Sequence, residues 1–138
     1  MKYKISEDLV NRAVEFHGHL GPFLILGLKA GLYAINILGK DQFKMKVKVE
    51  CEGKPPTSCF IDGIQYSTGC TYGKRNIELI EAKGLTVTFI LNDEKLEMKL
   101  KDHILTNLKN LKSNVAEEEA LKLMEKPIEE LFEITHIK

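Results

Sequence analysis

The sequence predicts an α+β fold in which helices surround a mostly antiparallel sheet, and two observations lead to this class. Segments that alternate apolar with polar residues, a pattern typical of half-buried strands, cluster between residues 43 and 100. Patterns typical of helices lie outside that region, over 7–38 and 101–126. With 138 residues and no linker or internal repeat, the chain is expected to form one domain over 1–138.

Two helices are predicted at the N-terminal end. The first should begin after Ser6, where a capping hydroxyl precedes two acids, and run to about Phe16. The second should cover 22–38, because Pro22 suits a first helical turn and Gly39 suits a left-handed C-terminal cap. Its sequence "FLILGLKAGLYAINIL" is apolar on nearly every side, so this helix is expected to be buried in the middle of the fold.

The second predicted helix has a face of small residues spaced three to four apart, namely Gly27, Ala30, Gly31 and Ala34. Small side chains permit close approach, so we expect another backbone, of this chain or of a second subunit, to pack there. The apolar run over 20–38 is barely long enough to span a membrane and is interrupted by Pro, Lys and Asn. No membrane partner is therefore expected.

The middle of the chain is predicted to contain a strand, a turn and a short helix. "FKMKVKVEC" over 43–51 alternates apolar with charged residues and reads as a half-buried strand. The two prolines of "GKPPTS" indicate a turn. Thr57 or Ser58 is then expected to cap a helix over roughly 58–67.

Three further strands are predicted in "NIELIEA", "LTVTFILN" and "KLEMKLK". Lys83-Gly84 and Asn92-Asp93 separate these segments, and both pairs are expected to form hairpin turns. Two helices near 101–112 and 116–126 should follow.

The charge balance and the cysteine count narrow the classes of partner and location. Lys and Arg total 20 and Asp and Glu total 20, which argues against nucleic acid as an obligate partner. Arginine occurs only at Arg12 and Arg75, so broad clamping of phosphates or carboxylates by arginine is not expected. Three cysteines cannot all pair within the chain, and the charged N-terminal segment lacks a signal-peptide pattern, so a cytoplasmic location is expected.

The stretch "EFHGHLGPF" contains the first candidate site. A spacing of two places His17 and His19 on the same side of an extended chain, and Gly18 permits close approach of a ligand. The pair also precedes a helix start, where free backbone N–H groups attract anions. These features suggest a metal ion held by two imidazoles, with a small anionic ligand nearby. The alternative is that one histidine caps the helix and the other is merely exposed.

Cys59, Cys70 and Asp62 form the second group of candidates. The spacing between the two cysteines excludes the Cys-x-x-Cys knuckle of a zinc ribbon. Cys59 falls in the first turn of its predicted helix, where the thiolate is favoured and the pKa falls, which suits a metal ligand or a nucleophile. A buried, unreactive thiol is the alternative. Asp62 in the same helix could orient a histidine or act as a base.

The third candidate is "STGCTYGKRN", a segment rich in Gly, Thr and Lys. It fails as a phosphate-binding P-loop because too few residues separate its glycines. An anion-binding turn that uses backbone N–H groups with Thr68, Gly69, Thr71 and Lys74 remains open. A plain polar turn that joins a helix to a strand is the alternative.

Two of these motifs together resemble a known family. "FHGHLGPFLILGLKAG" followed by "CFIDGIQYSTGCTYGKRNIEL" resembles the FmdE family, which takes its name from formylmethanofuran dehydrogenase, strongly over residues 10–80 and loosely beyond. The resemblance implies an α+β core domain that tends to form homodimers, with a link to one-carbon metabolism and methanogenesis. It also implies a cleft where zinc or another divalent transition metal binds, with His17, His19 and Cys59 as ligands.

The sequence departs from that family in two places, which leaves its function open between three classes. Many members have Cys in "HGHxCPG", where Gly21 stands here, so Cys70 is a candidate fourth ligand; some members also carry a C-terminal zinc finger, which is not expected here. The resemblance implies Asp62 and Lys74 as catalytic candidates and Thr68, Gly69 and Thr71 as ligand-binding ones. A metal-binding enzyme or accessory subunit is the first expectation. The alternatives are a metal-free binding or assembly module and a thiol enzyme with Cys59 as nucleophile.

Overall fold

The structure, a computed structural model, describes all residues 1–138. The helices are α1 (Glu7–His17), α2 (Pro22–Leu38), α3 (Cys59–Thr68), α4 (Asp102–Lys109), α5 (Ala116–Glu125) and α6 (Ile128–Leu131). The strands are β1 (Lys46–Cys51), β2 (Ile77–Glu81), β3 (Leu85–Leu91), β4 (Glu94–Leu100) and β5 (Phe132–Ile137). A 3-10 turn over Ser113–Val115 leads into α5.

The five strands form one sheet in the order β2-β1-β3-β4-β5. Only β1 and β2 run parallel, and the other neighbours are antiparallel, which confirms the predicted α+β class with a mostly antiparallel sheet. Alternate residues such as Val49 and Val87 are fully buried in the core beneath the helices. The opposite face carries polar residues such as Lys48 and Glu97, so the sheet has one buried face and one polar face.

The small-residue face of α2 packs against α3 of the same chain. A Cβ added to Gly63 of α3 would lie 2.4 Å from the Leu24 carbonyl oxygen, and one added to Gly27 would lie 2.2 Å from the Phe60 carbonyl oxygen. The expected close backbone is therefore that of α3, and no second subunit is needed to account for the small residues. This contact fixes the position of α3, which carries Cys59 and Asp62.

The strands differ from the sequence prediction at two places. The strand predicted over 43–51 starts only at Lys46, because the Asp41 carboxylate accepts hydrogen bonds from the backbone N–H groups of Phe43 and Lys44 and makes a turn there. The predicted Lys83-Gly84 hairpin is wrong, since β1 lies between β2 and β3 in the sheet. The Asn92-Asp93 hairpin is confirmed: both residues have positive φ, 51° and 67°, as a two-residue type I′ turn requires.

Helix boundaries follow the prediction more closely than the predicted caps do. Ser6 caps α1 as expected, with its hydroxyl accepting a hydrogen bond from the Leu9 N–H at 3.1 Å. Gly39 ends α2 with φ 103° and ψ 162°, which is not the left-handed helical conformation predicted. The side chains of Thr57 and Ser58 do not cap α3, so that prediction is wrong. None of the helices combines the length and the apolar character that a membrane crossing requires.

Candidate functional site

His17 is the last residue of α1, and its imidazole lies against α3. Its Nδ1 atom is 2.5 Å from Oδ2 of Asp62, and only 8% of the His17 side chain is exposed. The other ring nitrogen, Nε2, is buried without any hydrogen-bond partner. Because buried polar atoms are almost always paired, an unpartnered imidazole nitrogen marks a place where a ligand can bind.

A small cavity of about 30 Å³ lies beside this imidazole. Its lining brings together three predicted metal ligands, and consists of His17, His19, Gly21, Pro22, Phe23, Leu24, Pro56 and Cys59. The rings of His17 and His19 have centroids 5.0 Å apart. The volume is enough for one water molecule or one ion but not for an organic ligand.

The glycines around the histidines explain how the chain forms this corner. Gly18 has φ 117°, which a residue with a side chain rarely adopts, and its N–H donates to the Val14 carbonyl to close α1. Pro22 then starts α2. A Cβ added to Gly21 would lie 3.1 Å from Nε2 of His19, so the glycine leaves that nitrogen uncovered. The chain thus turns between two helices and places both imidazoles at the turn.

Cys59 is the first residue of α3, as predicted, but its predicted ionisation is wrong. Burial raises the pKa of the Cys59 thiol, and the negative charge of Asp62 raises that pKa further. These two effects outweigh the backbone hydrogen bonding that lowers the pKa at the helix start. Cys59 is therefore a neutral thiol near neutral pH, which weakens the thiol-enzyme alternative.

The donor set fits a transition metal in type but is not a preformed ligand shell. Imidazole nitrogen and cysteine sulfur are the ligands that zinc prefers, and a carboxylate on the far nitrogen of a ligating histidine is its common partner. No group of three His, Cys, Asp or Glu side chains is arranged to hold a metal ion in this structure. A metal would thus be held first by His17 Nε2, with His19 and Cys59 beside it.

Cys70 is not part of the cavity. It is fully buried in the core, and its Sγ lies 3.6 Å from the Met45 carbonyl oxygen. Burial raises the pKa of the Cys70 thiol, and it raises the pKa of Cys51, another buried thiol, to about 11. The structure gives these two cysteines the surroundings of core residues and does not bring Cys70 to His17 or His19.

The proposed anion-binding turn after α3 lies apart from the histidines, and most of its polar groups already have protein partners. The Thr68 hydroxyl donates to Ile64 O and accepts from the Cys70 N–H. The Thr71 N–H donates to Asn76 Oδ1, and the Lys74 ammonium donates to the Thr71 hydroxyl at 3.0 Å.

Gly69 at the start of this turn adopts the left-handed conformation, with its α-carbon facing the Gln42 side chain. Thr68, Gly69, Thr71 and Lys74 are absent from the lining of the histidine cavity. The structure thus accounts for the turn as a folded connection, and roles for its residues in ligand binding or catalysis stay predictions.

Gln65 is a residue that sequence reasoning missed. Its side-chain amide nitrogen lies 3.4 Å from Asp62 Oδ1, and its carbonyl oxygen accepts a hydrogen bond from the Tyr72 N–H at 3.0 Å. Gln65 therefore links the carboxylate that contacts His17 to the turn after α3. The signal was present in the spacing, because residues three apart are neighbours on a helix surface.

Comparisons with known proteins agree with this architecture. The model of the family described as "FmdE, Molybdenum formylmethanofuran dehydrogenase operon" matches residues 16–136. The crystal structure of an FmdE-like protein of tungsten formylmethanofuran dehydrogenase, from Syntrophus aciditrophicus, superposes with a TM-score of 0.59 at 17% identity. That match covers 100% of this chain and 77% of the other, and it shows a shared fold.

A curated relative from Archaeoglobus fulgidus, described as a probable S-adenosyl-L-methionine-binding protein, is 29% identical over 127 residues. The match covers 87% of this chain but only 32% of the relative, so the chain spans about a third of that protein. The family match, by contrast, covers most of the chain and includes both histidines and all of α3. The chain belongs to the FmdE family.

Proposed function

We propose that this chain is a cytoplasmic metal-binding protein that serves formylmethanofuran dehydrogenase, or one-carbon metabolism around it, as an enzyme or accessory subunit. The metal is a divalent transition ion, zinc in the first place, held through His17 Nε2 with His19 and Cys59 beside it. The observation that carries the proposal is the buried, unpartnered Nε2 atom facing a cavity of about 30 Å³.

The contact with Asp62 gives this nitrogen the right protonation state for a ligand. A carboxylate accepts hydrogen bonds, so the Nδ1 atom that lies 2.5 Å from Asp62 carries the proton and Nε2 carries a lone pair. Leaving a buried acceptor unpaired costs about 1–3 kcal/mol. A bound ion would remove that cost, which is why the orphan atom supports a ligand site.

The surrounding residues decide what chemistry the site can support. When bound, zinc supplies Lewis acidity. Asp62 holds the proton at His17 Nδ1 and keeps the ring in place, while Pro22, Phe23 and Leu24 exclude bulk water from one side. A site of this volume admits one reacting atom or one water, so the body of any substrate must lie outside it.

The link to formylmethanofuran dehydrogenase is supported by the family alone. The family description names the operon of the molybdenum enzyme, and the crystallographic relative is described as an FmdE-like protein of the tungsten enzyme. Proteins encoded with an enzyme commonly assemble with it or mature it. A metal-free binding or assembly module is the alternative, and it uses the same cavity without an ion.

Metal content tests the proposal directly. Untagged protein purified without chelator is analysed by elemental mass spectrometry, together with the variants His17→Ala, Cys59→Ala and His136→Ala. We expect about one equivalent of metal in the parent protein, loss in the first two variants and retention in the third, whose histidine lies on β5. No metal in the parent protein, or full occupancy in His17→Ala, would reject the site.

A homodimer is part of the same proposal, since the resemblance to the family implies one. The small-residue face of α2 is occupied by α3 and is not available as the interface. Light scattering during size exclusion gives the mass directly, and a mass near the 15.7 kDa of one chain would reject the dimer.

A further inference from the structure

A second, much larger cavity of about 670 Å³ opens between α3, the turn after it and the edge formed by β1 and β2. Its volume falls within the range of roughly 300–1,000 Å³ typical of small-molecule sites. It contains none of the residues around the His17 Nε2 atom. The two cavities lie on different sides of Asp62, because Gln65, which contacts Asp62, lines the larger one.

The floor of this cavity is apolar and incompletely covered. Val47 and Ile77 are buried beneath it, and Ile61 of α3 forms one wall. Leu79 remains 44% exposed and Tyr72 71% exposed, although both line the cavity. Strand β2 is an edge strand with no neighbour beyond it. An apolar or aromatic group placed here would remove Leu79 and Tyr72 from water, which is favourable.

The rim of the cavity carries more positive than negative charge. Lys46 and Arg75 line it together with one acid, Glu78, and none of the three takes part in an ion pair. The Arg75 guanidinium stacks over the Tyr72 ring at 4.8 Å from the ring centroid. Stacking holds the planar guanidinium in place while its N–H groups stay free, the arrangement that binds a carboxylate through two hydrogen bonds.

The backbone of Arg75 provides an independent observation. Its φ is 59°, in the left-handed region that favours glycine, asparagine and aspartate over other residues. Non-glycine residues in this region cluster at binding sites, where the side chain is needed despite the strained backbone. Arginine is rare in this chain, with Arg12 as its other occurrence, so its presence at a strained position on the cavity rim points to a specific contact.

We propose that this cavity binds a small molecule with an apolar or aromatic body and a carboxylate group. The body lies over Ile77, Leu79 and the Tyr72 ring, and the carboxylate binds the guanidinium of Arg75 with support from the ammonium of Lys46. This inference does not depend on the metal proposal, because it uses different residues and a different cavity.

Indole-3-acetate is a suitable probe because it joins a flat aromatic ring to a carboxylate, and indole-3-ethanol is its neutral counterpart. Both are titrated into uniformly ¹⁵N-labelled full-length protein and followed by amide chemical shifts. For an acid of this size a Kd of about 1 mM is expected. The shifts should centre on Gln65, Tyr72 and the 75–79 segment, and the neutral compound should bind at least about tenfold more weakly.

Two variants make the test specific. Arg75→Gly removes the guanidinium and relaxes the left-handed backbone, so the melting temperature should not fall while affinity for the acid drops at least about tenfold. Arg12→Ala is the matched control, since Arg12 lies on α1 and pairs with Asp8; it should bind the acid like the parent protein. Equal affinity for both compounds, unchanged binding by Arg75→Gly, shifts centred elsewhere, or no saturable shift would each overturn the proposal.

Discussion

Two histidines in this molecule contact a carboxylate, and the difference between them shows what makes such a pair a site. His17 Nδ1 lies 2.5 Å from Asp62, and His136 Nε2 lies 2.9 Å from Glu94. The acids are almost equally exposed, at 36% and 39% of their side chains. The histidines are not, at 8% and 27%. Only His17 has a buried second nitrogen without a partner.

The position of each pair in the fold accounts for this difference. His136 lies on β5 at the edge of the sheet, where a cross-strand pair with Glu94 of β4 faces water and contributes little to stability. His17 ends a helix whose next residues turn into α2, and Asp62 lies on α3, which α2 holds in close contact. Helix packing therefore buries one pair, and the open sheet edge leaves the other accessible.

The largest expected effect comes from moving α3 away from α2. Gly63→Ala places a methyl group 2.4 Å from the Leu24 carbonyl oxygen, so the helices must separate. We expect a loss of about 2–3 kcal/mol in the free energy of unfolding, measured by chemical denaturation. The His17 ring signals should shift in NMR spectra because Asp62 moves with α3, whereas the His136 signals should stay.

Gly73→Ala is the matched control for that experiment. The nearest atom to an added Cβ at Gly73 is the Thr71 hydroxyl at 4.0 Å, so stability should change by less than about 0.5 kcal/mol. Alanine is the better helix former by about 1 kcal/mol. A Gly63→Ala protein that is as stable as the parent would therefore show that the close contact between α2 and α3 is absent.

The second prediction removes the acid from each pair. Asp62→Ala leaves both His17 nitrogens without partners and the ring without its orienting contact. We expect metal affinity to fall about 10–100-fold, the usual effect of losing the carboxylate behind a ligating histidine. Stability should fall by about 1–3 kcal/mol because a buried polar group loses its partner. Competition with a chelator and chemical denaturation measure the two effects.

Glu94→Ala is the control for the acid on the sheet edge. Its pair with His136 is partly exposed, so stability should change by no more than about 1 kcal/mol and metal affinity should not change. If both variants lost metal equally, the burial of the His17 nitrogen would not be what distinguishes the two pairs.

The third prediction strengthens the His17 site. Gly21→Cys places a side chain whose Cβ starts 3.1 Å from His19 Nε2, which adds a thiol beside the two imidazoles. Because thiolates are strong zinc ligands, affinity for zinc should rise by about tenfold or more. Gly21→Ser has the same size with a weak ligand and should show no increase. Equal behaviour of the two variants would place the metal away from His19.

Local sequence features predicted much of the fold and part of the site. Ser6, Pro22 and the Asn92-Asp93 pair act through their own backbone neighbours, so their elements could be placed from the sequence. The Lys83-Gly84 hairpin failed because the pairing of β2 with β1 joins residues far apart in the chain. No local pattern contains that information.

The same distinction applies to the candidate site. The sequence identified His17, His19 and Cys59, which line one cavity, because their residue types and motif spacing are local. It included Cys70, which the fold buries elsewhere. It also predicted a lowered pKa for Cys59 from the helix start alone, whereas burial and the Asp62 charge depend on how α3 packs.

The smallest expected effect concerns this thiol. The Cys59 pKa is raised above its ordinary value, first by burial and then by Asp62, so the thiolate fraction is low at neutral pH. Alkylation by iodoacetamide, followed by mass spectrometry, should therefore be slower at pH 7.5 than for a free cysteine. The rate should rise with pH, up to and through the raised pKa.

Asp62→Asn connects this test to the paired histidines. Removing the negative charge lowers the pKa of Cys59 toward its ordinary value, so alkylation at pH 8 should become faster. The increase should stay below about tenfold, the change that one pKa unit produces. Glu94→Gln removes a carboxylate that contacts His136 instead, and should leave the rate unchanged. If Asp62→Asn did not speed the reaction, the Asp62 charge would not act on Cys59, and burial alone would keep that thiol neutral.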